Sequence, residues 1–269
     1  MKFLHRALCF VPFALPVSAA AISPDSTNAC EIMNAVEARD TGDRVTARLQ
    51  ITIADKAGRE RNRVVQTWAM EVEGGRRQLM LFAEPPDVRN AGLLSFDRDG
   101  SEPDDQWLFL PSVGRITRIA STDKSGSFMG TDLSYADMTS KDIDAYDYVL
   151  VEAAVTVGGE DCWVIEAKPT TEKGKSETGY LKTQSWISKS KLLPVQTKAW
   201  VIEGKRLKYL KFQDIRQVDG LWIAHKIVVR TMRNKELESS STLVFSDFKL
   251  NQEEVTGDIF SERRLEQGL

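Results

Sequence analysis

The sequence predicts a mainly β, α+β fold: one antiparallel sheet of about eleven strands, strongly curved or partly closed, with a few helices against one side. Two observations predict it. From Val45 onward, apolar residues recur at every second position in one segment after another, which is the period of half-buried strands. Turn residues such as Gly58, Gly74-Gly75, Gly158-Gly159 and Asp219-Gly220 separate those segments at hairpin spacing. The alternation of strand and long helix that a parallel sheet needs is missing. So are internal repeats and low-complexity linkers.

Taken in order, the chain opens on a secretion leader. Lys2, His5 and Arg6 form its basic region, Ala7–Val17 its apolar run, and Val17–Ala21 a small-residue cleavage zone. The run is too short to span a bilayer, and Arg6-Ala7-Leu8 before Cys9 is a poor lipid-attachment motif. The expected product is an exported protein with residues 1–20 removed and 21–269 folded as one domain, located in the periplasm. Asn28 then stands in N-cap position before a helical pattern over Cys30–Ala38. Val45, Ala47, Leu49, Ile51 and Ile53 mark a first strand, and Val64–Val72 its return. Further strands are expected at Gln78–Phe82, Leu93–Phe96, Gln106–Leu110, Tyr148–Val157, Cys162–Ala167, Ser185–Ile187, Val195–Ile202, Leu207–Ile215, Leu221–Met232 and Ser241–Phe248. Thr170–Thr178 reads as a polar tongue, and Thr256-Gly257-Asp258 opens a last short helix through Arg264.

One stretch organises the rest. Gln106–Leu110 is apolar on both faces, so it is expected to run through the middle of the sheet, and Pro111 ends it. Arg115, Arg118 and Lys124 follow, then Gly126 and Gly130 bracket Ser127-Phe128-Met129. The blocks DDQWLFLP (Asp104–Pro111), a basic segment, and KSGSFMGTDLSYADM (Lys124–Met138) occur in that order. Together with the opening Glu31–Asp43, the hairpin at Asp55–Gly58 and the ending Phe260–Gly268, they resemble the LolA-like outer-membrane lipoprotein-sorting family. The resemblance implies a half-closed antiparallel β-barrel whose concave face is covered by helices. It also implies a carrier of lipid or lipoprotein acyl chains, working with an inner-membrane exporter of the RND (MmpL-like) type. The alternative is a non-carrying accessory subunit of such an exporter.

Composition and chemistry narrow the rest. The chain has 36 basic and 39 acidic residues, a formal charge of −3; losing Lys2 and Arg6 leaves 34 against 39, or −5. That balance does not suit general nucleic-acid binding. Beyond the leader the one histidine is His225, on a predicted strand, which excludes paired-histidine zinc motifs. A nucleophile elbow is missing as well. Gly174-Lys175-Ser176 lacks the leading glycine of a phosphate loop. Asp97-Arg98-Asp99-Gly100 places its glycine two positions early for a calcium loop, and Ser121-Thr122-Asp123-Lys124 lacks the companion motifs of penicillin-recognising enzymes. No enzyme, cofactor or metal is therefore expected. Export permits a Cys30–Cys162 disulfide, while Cys162 also suits a small core filler.

The candidate functional residues are apolar. Trp68, Met70, Leu79, Leu81, Trp107 and Phe109 fall at alternate positions of neighbouring strands and can share one face, either as ordinary core or as the wall of an acyl-chain cavity. A second set, Arg115, Arg118, Lys124, Phe128 and Met129, reads either as a solvated strand edge and loop or as a docking surface. Its partner would be an exporter or anionic head groups, met by peripheral contact only.

Overall fold

The alternation that begins at Val45 becomes a sheet with an unusual chain path. The computed structural model describes residues 22–100 and 102–269, so the leader lies outside the described residues. The first meander is β1 (Arg44–Asp55), β2 (Glu60–Val72), β3 (Gly75–Glu84), β4 (Gly92–Arg98), β5 (Asp105–Leu110) and β6 (Arg115–Arg118). The second is β7 (Tyr146–Val157), β8 (Glu160–Pro169), β9 (Tyr180–Ser188), β10 (Leu193–Val201), β11 (Arg206–Val218), β12 (Leu221–Arg233) and β13 (Glu236–Lys249). The two are joined where β1 pairs antiparallel with β13, giving the order β6-β5-β4-β3-β2-β1-β13-β12-β11-β10-β9-β8-β7. Among the described residues this makes thirteen strands in one curved, unclosed antiparallel sheet with β6 and β7 as its edges. Two-residue turns keep the hairpins in register: Gly158 and Gly159 take φ of 61° and 88° between β7 and β8, the left-handed pair such a turn requires.

Register settles which residues share a face. Val45 pairs with Ala69, Ala47 with Thr67 and Leu49 with Val65; these in turn face Gln78, Met80 and Phe82 on β3. On the other side Leu49 and Ile51 pair with Phe245 and Leu243. This inner face carries the main core. Two elements cover it. Helix α1 (Ala29–Glu37), capped by Asn28 Oδ1 accepting from the Cys30 and Glu31 N–H groups, sets Ala29 and Ile32 on Trp163, Ile165 and Ile187. The connection between β6 and β7 folds back into the trough as a plug, through four single turns of 3₁₀ helix. Its Phe128 and Leu133 are buried against Leu49, Ile51, Val65, Phe82, Val229 and Leu243. The outer face is covered only in part: helix α3 (Glu262–Gln267) and the segment before it bring Val255, Phe260 and Leu265 onto Leu79, Leu81, Leu94 and Phe109. Gly92 allows that approach, since a Cβ there would lie 2.7 Å from both Leu265 Cδ1 and Leu81 Cδ2.

Four expectations are corrected. The strand Asp105–Leu110 is one place from the sheet edge, not central; it is apolar on both faces because α3 covers one and the plug the other. The segment 170–178 is not an open tongue. Thr171 Oγ1 accepts from the Gly174 N–H and Gly179 closes the turn in the left-handed region, making helix α2 (Glu172–Thr178). The strand count rises above eleven partly because the basic segment Arg115–Arg118 is itself the edge strand β6. The C-terminal helix breaks into a single turn at Gly257–Ile259 and α3. Cys30 is exposed, Cys162 buried, and both thiols are free.

Candidate functional site

The plug does not fill the trough. Beyond its end at Met138–Ser140, a cavity of about 770 Å³ lies against the inner face, within the range of about 300–1,000 Å³ usual for ligand sites. Its walls come from both meanders. Val45, Ala47, Thr67 and Ala69 form one side, where the small side chains leave space. Phe212, Trp222, Ile227, Phe245 and Phe248 form the other, and Leu193, Pro194 and Met138 line the cavity as well. Burying each methylene of an acyl chain against such a wall stabilises the complex by about 0.8 kcal/mol. The residues with the right chemistry for a long apolar ligand are thus gathered from strands far apart in sequence.

Polar residues line the same cavity where β1 begins, β4 ends and β2 turns into β3. They include Glu37, Arg39, Asp40, Glu71, Arg76 and Asp97. Both arginines are committed: Arg39 donates to the Trp222 carbonyl at 2.9 Å, and Arg76 to Glu71, to Thr41 Oγ1 and to the Gly42 carbonyl. Asp97 accepts from the Ser140 backbone N–H at 2.8 Å and from its hydroxyl at 2.7 Å, which ties the end of the plug to β4. Burial pushes the Asp97 carboxyl up to about 6, against the lowering effect of those hydrogen bonds, and nearby Asp104 raises it further. Glu37 is raised too, first by desolvation from the protein around it and then by the charge of Asp97. A smaller cavity, about 150 Å³, lies across Ser140, between the plug, α2 and β8–β9.

The plug is held by carboxylates as well as by apolar contact. Buried Asp132 accepts from the hydroxyls of Thr231, Ser239 and Ser241 on β12 and β13, and its own N–H donates to Ser241 Oγ at 2.9 Å. Asp137 accepts from the Tyr180 hydroxyl at 2.8 Å and from Ser134 Oγ at 2.9 Å.

The residues expected from sequence fall in different places. Trp68, Met70, Leu79, Leu81, Trp107 and Phe109 do share a face and one cluster, but they lie under Val255, Phe260 and Leu265 on the outer side of the sheet. None of the six lines the large cavity. The pairing of Val45 with Ala69 assigns the odd-numbered positions of β2 to the trough and sends Trp68 and Met70 the other way. The docking set divides likewise. Arg115 and Arg118 are exposed at edge strand β6, Arg118 paired with Asp105. Lys124 is buried, donating to the Asp104 carbonyl at 3.0 Å. Phe128 is buried between Phe82 and Tyr135. Met129, at φ 49°, is half-buried against the same core. An open loop was expected here; the segment is instead the plug.

His225 is buried with Nδ1 3.2 Å from the Ile223 carbonyl oxygen, a satisfied structural position. Among the described residues, no group of three His, Cys, Asp or Glu gathers as for a metal, and no helix is long and apolar enough to cross a membrane.

Comparison with known proteins agrees with this architecture. No curated protein matches the chain. A family model described as "Uncharacterized protein" matches residues 74–267. Among solved structures, a protein domain from Vibrio parahaemolyticus assigned to outer-membrane lipoprotein sorting is 29% identical, with TM-score 0.79, covering 88% of this chain and 98% of its own. A DUF1329 family protein from Desulfovibrio piger is 26% identical, with TM-score 0.78, over 88% and 97%. A LolA superfamily protein from Nitrosomonas europaea shares the fold at 20% identity, with TM-score 0.66, over 89% and 100%.

Proposed function

This chain belongs to the DUF1329 family and has a LolA-like fold, and on that premise we propose that it is a periplasmic carrier of lipid or lipoprotein acyl chains between membranes. The observation that carries the reading is the cavity of about 770 Å³, with Ala47, Ala69, Phe212, Trp222 and Phe245 in its wall. The Vibrio domain assigned to lipoprotein sorting, similar over nearly its whole length, supports the same reading. In this proposal residues 1–20 are the export leader and 21–269 the single working domain. The chain performs no covalent chemistry and needs no cofactor. Exposed Arg115 and Arg118 meet an inner-membrane exporter of the RND type.

A second reading has its own observation. Phe128, Leu133 and Asp132 already occupy the middle of the trough, as a non-carrying accessory subunit would require. Native mass spectrometry and a solvent extract of the purified protein separate the two. A carrier releases bound lipid or acylated species in stoichiometric amount; an accessory subunit gives the bare chain mass and an empty extract.

A further inference from the structure

The outer face of the sheet is covered over β2–β6 and open over β9–β13. On the open part, register sets Lys198 beside Tyr209 and Tyr209 beside Arg230 in one row. The next two rows on one side place Lys211 and Lys226 on the same surface, and the row on the other side adds Lys182 beside Trp200. These five cations stand on a chain whose formal charge is −3. The paired positions on this side of β9–β13 hold no carboxylate among the described residues. The neighbouring Glu166 of β8 is already bound to Lys182 at 2.7 Å, and Asp214 and Asp247 take left-handed backbone, with φ of 50° each, outside the paired positions.

Aromatic rings are interleaved with the cations. Lys198 Nζ lies 4.4 Å from the centre of the Trp200 ring and 5.8 Å from that of Tyr209, and Lys182 Nζ lies 4.7 Å from Trp200. Trp186 pairs with Gln196 on the same side, and Val244, opposite Lys226, is 38% exposed. All three aromatic side chains are partly exposed. Strands about 4.8 Å apart spread this mixture across neighbouring strands β9–β13, which matches a plane of charge better than a single charged strand or peptide. Lysine stems with ammonium tips, alternating with tryptophan and tyrosine, suit the layer where head groups meet acyl chains.

We propose that the outer face of β9–β13 docks peripherally on a bilayer surface bearing anionic head groups. Lys198, Lys211, Lys226 and Arg230 sit at the phosphates, and Trp186 and Trp200 in the interfacial layer. This docking does not depend on the cavity being loaded. It uses a different surface from Arg115 and Arg118.

Flotation of the purified protein with vesicles tests it. Vesicles of phosphatidylcholine with phosphatidylglycerol should carry the protein upward at low salt, and phosphatidylcholine alone should not. High salt should release it. Lys198→Gln/Lys211→Gln/Lys226→Gln should weaken the partition by about tenfold or more, since each basic side chain contributes appreciably near an anionic surface. Arg59→Gln/Lys173→Gln/Arg263→Gln removes the same charge from exposed sites elsewhere and should bind like wild type. Melting curves confirm that both variants fold. Equal binding to neutral vesicles overturns the proposal. So does failure of the folded wild type to float with anionic ones, or equal loss in both triple variants. Binding to a polyanion such as heparin without binding to vesicles also overturns it, in favour of a soluble partner.

Discussion

At the scale of single residues, Asp97 shows how the cavity shapes its own polar rim. Its carboxylate is held near protein and accepts two hydrogen bonds from Ser140, yet burial still lifts it to about 6 from the ordinary 3.8. A carboxyl raised on folding is protonated more readily in the native than in the unfolded chain, so between those two values stability rises as pH falls. Glu37, raised in the same direction, adds to the effect, while Lys141 opposes it on Glu37. Asp105 and Glu238, held low by Arg98, Arg118 and Arg206, act the other way, but only at lower pH. Asp97→Asn should therefore melt at or above wild type at about pH 7, and that difference should shrink steadily toward about pH 4. A difference independent of pH would show that Asp97 does not titrate in this window. Of the two readings the sequence left for Trp68, Trp107 and Phe109, core or cavity wall, the structure packs them in the cluster under Val255, Phe260 and Leu265. The cavity remains where Ala47, Thr67 and Ala69 leave space, a signal visible in the sequence once β1 and β2 are paired.

At the scale of elements, strands and helix α1 were legible because each rests on local pattern: period two from Val45 to Ile53, and Asn28 as a cap. The plug was legible as a distinct block but not as a buried one. Its glycines, charges and short turns resemble a surface loop. What buries it is remote: Asp132 meets hydroxyls on Ser239 and Ser241, more than a hundred positions away. A charged residue in such a block reads as exposed until its partners are known. Phe128→Ala should accordingly lower unfolding free energy by about 3–5 kcal/mol, as for other packed aromatics truncated to alanine. Denaturant titration measures it. A loss below about 0.5 kcal/mol, the scale of surface substitutions, would return the segment to the surface.

At the scale of the whole molecule, two meanders meet at the β1–β13 pairing, and that one long-range contact turns two half-sheets into a trough. The antiparallel order followed from turn spacing, while the count fell short because the basic segment Arg115–Arg118 did not read as the edge strand it forms. The face that holds the cavity did not follow, because it depends on where the C-terminal segment lies, and Val255, Phe260 and Leu265 chose the side opposite the plug. The two faces should thus respond differently to substitution. Leu81→Ala, under α3, should destabilise the fold by about 2–5 kcal/mol yet leave an open inner cavity. The most direct measurement is binding of a fluorescent fatty-acyl probe to Ala69→Trp and Phe212→Arg, each checked for folding by its melting curve, beside Leu81→Ala. If the trough holds acyl chains, both cavity variants stay folded and lose the probe, while Leu81→Ala retains it. Folded Ala69→Trp and Phe212→Arg proteins that bind the probe as wild type does would contradict the account.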